Sequence, residues 1–61
     1  MQLNQYWVET QPPESELEAA YDDHQFDDAK QHAQEIEGVL LWATFEYTDS
    51  EVVQNFKRIE Q

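Results

Sequence analysis

Carboxylate side chains are the groups in this sequence whose number and spacing could do chemistry. Nine of them lie between residues 14 and 37, and Lys30 is the one Lys or Arg in that span. The nine are Glu14, Glu16, Glu18, Asp22, Asp23, Asp27, Asp28, Glu35 and Glu37. On a strand, the first three would project from one face about 6.6 Å apart. That row resembles the phosphate ladder of a nucleic acid, which has a phosphate every ~3.4 Å along each strand. The band therefore predicts a surface that a basic, nucleic-acid-binding groove would recognise.

The same band has a second interpretation. Runs of charge usually form a solvated face that keeps a protein soluble, and the surface of a halophilic protein would also be acidic. The near-absence of lysines between the carboxylates favours a binding surface. From the sequence alone, both interpretations stay open.

Two imidazoles and a carboxylate form the second candidate site. His24, Asp28 and His32 are spaced i, i+4, i+8, so one continuous helix would stack them on one face. Such a set can bind Zn²⁺ with an open coordination position. If His24 precedes the helix, that geometry fails, and a helical histidine is more often simply exposed. We therefore predict no metal site and no cofactor.

The sequence offers little to catalysis. The adjacent pairs at residues 22–23 and 27–28 fall on polar stretches, whereas catalytic acids need an enclosing pocket, and 61 residues scarcely form one. Gly38 is the one glycine and there is no cysteine, which excludes a glycine-rich phosphate loop and a thiol nucleophile. Ser15 and Ser50 lack the context of a nucleophile elbow. We predict no catalytic residues and a non-enzymatic protein.

Length and charge bound the class of protein. The 61 residues make one domain, 1–61, and 14 acidic residues against three basic ones give a net charge of −11. This imbalance argues against direct binding to nucleic acid or an anionic membrane, which requires clustered Lys and Arg, and favours a basic protein partner. The N-terminus does not read as a signal peptide. The longest apolar run, Val39 to Ala43, is far shorter than the ~20 residues of a membrane-spanning helix. We expect a soluble, cytoplasmic protein.

The first half of the chain predicts a hairpin. Leu3 to Thr10 is rich in strand-favouring residues and stops at Pro12-Pro13, which cannot continue a ladder. From Ser15 to Tyr21, apolar and polar residues alternate, which favours a second strand paired with the first. The alternative is a helix from Ser15 to Ile36, because Ser15 and Glu18 fit a capping box.

The second half predicts a helix, a strand and a short final helix. Phe26, Ala29, Ala33 and Ile36 share one helical face, with Gly38 as the C-cap. Val39 to Tyr47 reads as a strand that is apolar on both faces at its start. A short helix capped by Asp49 or Ser50 follows, with its apolar face formed by Val52, Val53, Phe56 and Ile59. The fold class is therefore α+β: a small antiparallel sheet in the order β-β-α-β plus a C-terminal helix, with one main helix packed on the sheet.

A domain this small has a marginal core, which self-association often completes. Trp42, Phe45 and Phe56 are the candidate anchors of a homodimer, since large aromatic side chains are common at interface hot spots. They give the alternative function: a small structural or adaptor module that self-associates through its aromatic face. In that case the acidic surface would only keep the protein soluble.

The order of elements resembles a known class of inhibitor. Tyr6-Trp7, the alternating run from Ser15 to Tyr21, and Phe26-Asp27-Asp28-Ala29 fall at places similar to those in small phage inhibitors of bacterial RNA polymerase, over about residues 5–47. Size and charge also resemble DNA-mimic proteins such as anti-restriction and anti-CRISPR factors. The resemblance implies a phage protein that inhibits a host enzyme in the host cytoplasm. It carries over no functional residue.

Overall fold

The computed structural model describes residues 1–60. Its elements, in chain order, are β1 (Gln2–Glu9), β2 (Leu17–Asp22), α1 (Phe26–Glu35), β3 (Val39–Tyr47) and β4 (Val52–Ile59). The strands form one antiparallel sheet in the order β2-β1-β3-β4. The α+β class is as the sequence predicts. The helix α1 is ten residues long. Within residues 1–60, no helix is long and apolar enough to cross a bilayer.

The hairpin of β1 and β2 is confirmed, but β2 begins at Leu17 and not at Ser15. Ser15 has a left-handed φ of 49°, which interrupts the extended backbone that the alternating pattern predicted. The loop is closed by two hydrogen bonds between Thr10 and Glu16, in which the Thr10 amide donates to the Glu16 carbonyl (2.9 Å) and the Glu16 amide donates to Thr10 Oγ1 (2.8 Å). The register then shifts between Val8 and Glu9. The helix alternative for residues 15–25 is therefore wrong.

Two alanines of α1 explain how the helix sits on the sheet. Ala29 and Ala33 are fully buried and pack with Val8 of β1 and Leu40 of β3 in one cluster. Their short side chains allow a close approach of the helix, and Tyr6, Tyr21 and Ile59 pack around the cluster. The helix contacts β1, β2 and β3. We call the side of the sheet that it covers the helix face, and the opposite side the open face.

The end of α1 corrects the prediction that Gly38 is the cap. The left-handed residue is Glu37, with φ 53°. The Gly38 amide donates to the Ala33 carbonyl (2.8 Å) and the Glu37 amide to the Gln34 carbonyl (3.2 Å), which is the Schellman pattern. Gly38 is required for a different reason, because a Cβ there would overlap the Glu9 carbonyl oxygen and crowd the Ile36 side chain.

The predicted C-terminal helix is wrong, because Val52–Ile59 is a strand paired with β3. Positions 52, 53, 56 and 59 fit a helical stripe, but Val, Ile and Phe also favour strands. The chain reverses at Thr48, whose amide donates to the Glu51 carbonyl (2.9 Å) and whose Oγ1 accepts from the Glu51 amide (3.1 Å). This turn brings the last segment beside β3, whose backbone groups it pairs.

We expect Gly38→Ala to lower the free energy of unfolding by about 1–3 kcal/mol, because the added methyl group must displace the β1 backbone at Glu9. Urea denaturation measures the change. The adjacent substitution Glu37→Gly should act in the opposite direction, by up to about 1 kcal/mol, since glycine adopts positive φ without steric cost. Equal stability of Gly38→Ala and the parent would contradict the close approach.

Candidate protein-binding surfaces

The acidic segment forms one side of the molecule. Residues 14–37 make up the end of the β1–β2 loop, the edge strand β2, the turn before α1, and α1 with its C-terminal cap. We call this region the acidic side. Lys57 and Arg58 lie on β4, at the opposite edge of the sheet. The two ends of the sheet therefore differ in charge.

Within the acidic side, the nine predicted carboxylates fall into two groups. Asp22, Asp23, Asp27 and Asp28 surround the turn between β2 and the start of α1. Glu14, Glu16, Glu18, Glu35 and Glu37 lie toward the other end, where the Gln11 side chain donates to the Glu37 carbonyl (2.9 Å) and ties the β1–β2 loop to the helix end. Along α1, Asp28 of the first group and Glu35 of the second are seven residues apart, which is about 10 Å of helix.

The predicted row of Glu14, Glu16 and Glu18 is not formed. Only Glu18 lies on β2, which begins at Leu17. The positive φ of Ser15 turns the chain between the other two glutamates. The regular pitch of about 6.6 Å is therefore wrong, and the resemblance to a nucleic acid concerns charge density without a phosphate-like repeat.

A shallow, open depression lies between α1 and β2, within the acidic side. Asp28, Gln31, His32 and Glu35 of α1 line it together with Tyr21 of β2. The Tyr21 hydroxyl and His32 Nδ1 are hydrogen-bonded at 2.8 Å, and Gln31 Nε2 donates to Glu35 Oε1 at 3.2 Å. Neither Tyr21 nor Gln31 is among the site residues predicted from the sequence. The spacing 28, 31, 32, 35 was the available signal, since it places four polar side chains on one helical face.

The carboxylates of the acidic side are not neutralised by neighbouring cations. Within residues 1–60, no Lys or Arg side chain forms an ion pair with a carboxylate. The exposed side chains of His24 and Asp23 lie close together, with Nδ1 and Oδ1 3.7 Å apart. The lysine of the segment, Lys30, lies over the ring of Phe26, 5.9 Å from its centroid. The negative charge is therefore directed at solvent.

The candidate zinc set does not meet its geometric condition. His24 lies in the turn before α1, which begins at Phe26, so the three side chains do not share one helical face. His32 Nδ1 is already bonded to Tyr21. Across the described chain, no group of three or more His, Cys, Asp or Glu side chains is arranged to hold a metal ion.

The predicted dimer anchors do not form one surface. Trp42 points to the helix face and lies against Tyr6, with ring centroids 4.7 Å apart. Phe45 and Phe56 lie on the open face, on either side of Trp7, with their ring centroids 5.6 and 5.1 Å from that of Trp7. The centroids of Phe45 and Phe56 are 6.0 Å apart. Because side chains alternate along β3, Trp42 and Phe45 must point to opposite faces.

We expect Tyr21→Phe to lower the free energy of unfolding by about 0.5–1.5 kcal/mol, since it removes one part-buried hydrogen bond and keeps the ring. A double-mutant cycle with His32→Ala, measured by urea denaturation, isolates this interaction. Strict additivity of the two substitutions would contradict a direct bond between the side chains.

Comparison with known proteins assigns no family to the chain: no protein-family model matches it, and no significant match is found among curated proteins or solved structures. The resemblance to phage inhibitors therefore stays a prediction.

Proposed function

We propose that the chain is a non-enzymatic inhibitor that binds a nucleic-acid-binding protein or complex through the acidic side. The observation that carries the proposal is the distribution of charge. Nine carboxylates and one lysine occupy residues 14–37, and no Lys or Arg of the described chain pairs with any carboxylate. A partner surface rich in Lys and Arg would supply the missing cations.

Long-range attraction would guide the first encounter. With a net charge of −11 on a 7.3 kDa chain, the field of the acidic side extends about one Debye length, ~8 Å at physiological salt. Such a field raises the rate of association with a basic cleft, and it weakens as salt is added. The same surface repels nucleic acids and anionic membranes, so the partner is a protein.

The depression between α1 and β2 would provide the specific contact. Asp28 and Glu35 lie one on each side of the Gln31 and His32 pair, along one face of α1. A lysine or arginine side chain of the partner could enter there, donate charge-assisted hydrogen bonds to these carboxylates, and pack its aliphatic part on the Tyr21 ring.

Inhibition would follow from occupancy. A protein that fills a nucleic-acid-binding groove excludes the nucleic acid by steric overlap and by its own charge, with no chemical step. If a phage encodes the chain, this competition would take place in the host cytoplasm.

The test compares two variants that each lose two carboxylates. Asp28→Asn with Glu35→Gln removes the charges beside the depression, and Glu46→Gln with Glu51→Gln removes the same number outside the acidic side. The immobilised chain captures proteins from a bacterial lysate at low salt, and duplex DNA is then added as competitor. We expect capture by the parent and by the second variant, displacement by the DNA, and a loss of affinity of at least about tenfold in the first variant.

Two outcomes would contradict the proposal. Equal capture by both variants would show that the acidic side is not the contact. Retention of the captured protein in the presence of excess DNA would show that the chain does not compete for a nucleic-acid site.

A further inference from the structure

The open face of the sheet is apolar and carries no covering element among residues 1–60. Trp7, Phe45 and Phe56 form its centre, above the fully buried Ala43. Around them, three large apolar side chains of this face, Leu3, Tyr47 and Val52, are 39–49% exposed, and Phe56 itself is 46% exposed. Sheets with two apolar faces are normally covered on both, and α1 covers the other one.

Charge is absent from the centre of the open face and confined to its rim, although the chain carries a net charge of −11. By strand register and side-chain alternation, the charged residues that share this face with Trp7 are Glu9 on β1, Glu18 and Asp22 on β2, and Arg58 opposite Leu41. Asp22 lies on the edge strand β2 and Arg58 on the edge strand β4. Depletion of charge around an aromatic centre is typical of the core of a protein interface.

We propose that a second copy of this chain covers the open face, with the two-fold axis parallel to the strands. This axis places β4 of each copy over β2 of the other, because the sheet order β2-β1-β3-β4 is reversed in the facing copy. Arg58 of each copy then lies over strand β2 of the other copy, which carries Asp22. The dimer therefore contains two such Arg58–Asp22 contacts. An axis perpendicular to the strands would place β4 over β4 and β2 over β2, with like charges together.

The same axis brings the central strands together. β1 of one copy lies over β3 of the other. Within one copy, Leu3 is paired with Phe45. Because the axis is parallel to the strands, Leu3 also lies opposite Phe45 of the second copy. Two sheets packed face to face are about 10 Å apart, a gap that Leu and Phe side chains from both copies fill. The dimer leaves α1 on the outside of each copy, so the helix and the depression beside it stay free, whereas the open face of β2 with Asp22 is covered.

The size of the face predicts a weak, reversible dimer. Four strands about 4.8 Å apart and about eight residues long, at ~3.3 Å per residue, cover roughly 500 Å² per copy. The total of roughly 1,000 Å² is at the lower limit for specific interfaces. Repulsion between two copies of net charge −11 opposes association. Added salt should therefore strengthen the dimer, whereas it should weaken binding of a basic partner, so the two proposals can fail separately.

The first experiment uses adjacent residues that point to opposite faces. Leu3→Lys places a charge on the open face, and Gln2→Lys places the same charge on the helix side of the same strand. Sedimentation velocity at high salt is recorded over a concentration series. We expect the parent and Gln2→Lys to rise from 7.3 kDa toward twice that mass, and Leu3→Lys to stay monomeric. Thermal melting verifies that all three chains are folded.

A parent chain that stays monomeric at every concentration would overturn the proposal. So would a dimer that Leu3→Lys leaves intact, since association would then use the edge of β4 or the helix face.

The second experiment tests the axis by exchanging charges. Arg58→Glu and Asp22→Arg should each weaken the dimer at least about tenfold, and the double variant should regain most of the loss. Lys57→Glu, which makes the same charge change beside Arg58 on the helix face, should have less effect than Arg58→Glu. Failure of the double variant to recover would exclude the axis parallel to the strands.

Discussion

The contact of two alanines with the sheet is the constraint on which the rest of the structure depends. Ala29 and Ala33 are completely buried against Val8 and Leu40. Because neither alanine has atoms beyond Cβ, α1 can lie close to the sheet, and its polar residues are directed outward and toward β2. The position of the acidic side, the depression beside Tyr21 and the uncovered opposite face all follow from this one packing arrangement.

The distribution of charge follows from the same arrangement. The segment that packs through Ala29 and Ala33 also carries nine carboxylates, so fixing the helix concentrates like charges on one side. Their mutual repulsion destabilises the folded chain, and the small core must offset that cost. A surface needed only for solubility would not require the carboxylates to be gathered in this way, which is why we propose a basic partner.

The sequence predicted the elements whose patterns admit one interpretation. Phe26, Ala29 and Ala33 match only a helix, and the strand predicted from Val39 to Tyr47 is β3 with the same bounds. Val52–Ile59 was wrongly predicted to be a helix, because apolar residues at spacings of 1, 3 and 3 fit a helical face. What decides its structure is pairing with β3, and that pairing cannot be seen in the local pattern. Local patterns also cannot show a left-handed φ at Ser15. The regular row of glutamates failed because of the turn at Ser15. The joint anchor of Trp42 and Phe45 failed because alternation along β3 points the two side chains to opposite faces. The concentration of acidic residues in one segment was visible in the sequence.

The central claim is that folding holds the acidic side as one ordered surface, and amide hydrogen exchange tests it most directly. If α1 and β2 are fixed by the alanine contact, the amides of Ala29, Ala33 and the β2 residues bonded to β1 should exchange as slowly as those of β3. Fast exchange throughout residues 17–35, with β1 and β3 still protected, would show that the carboxylates are carried by a loosely attached segment. That result would contradict the account.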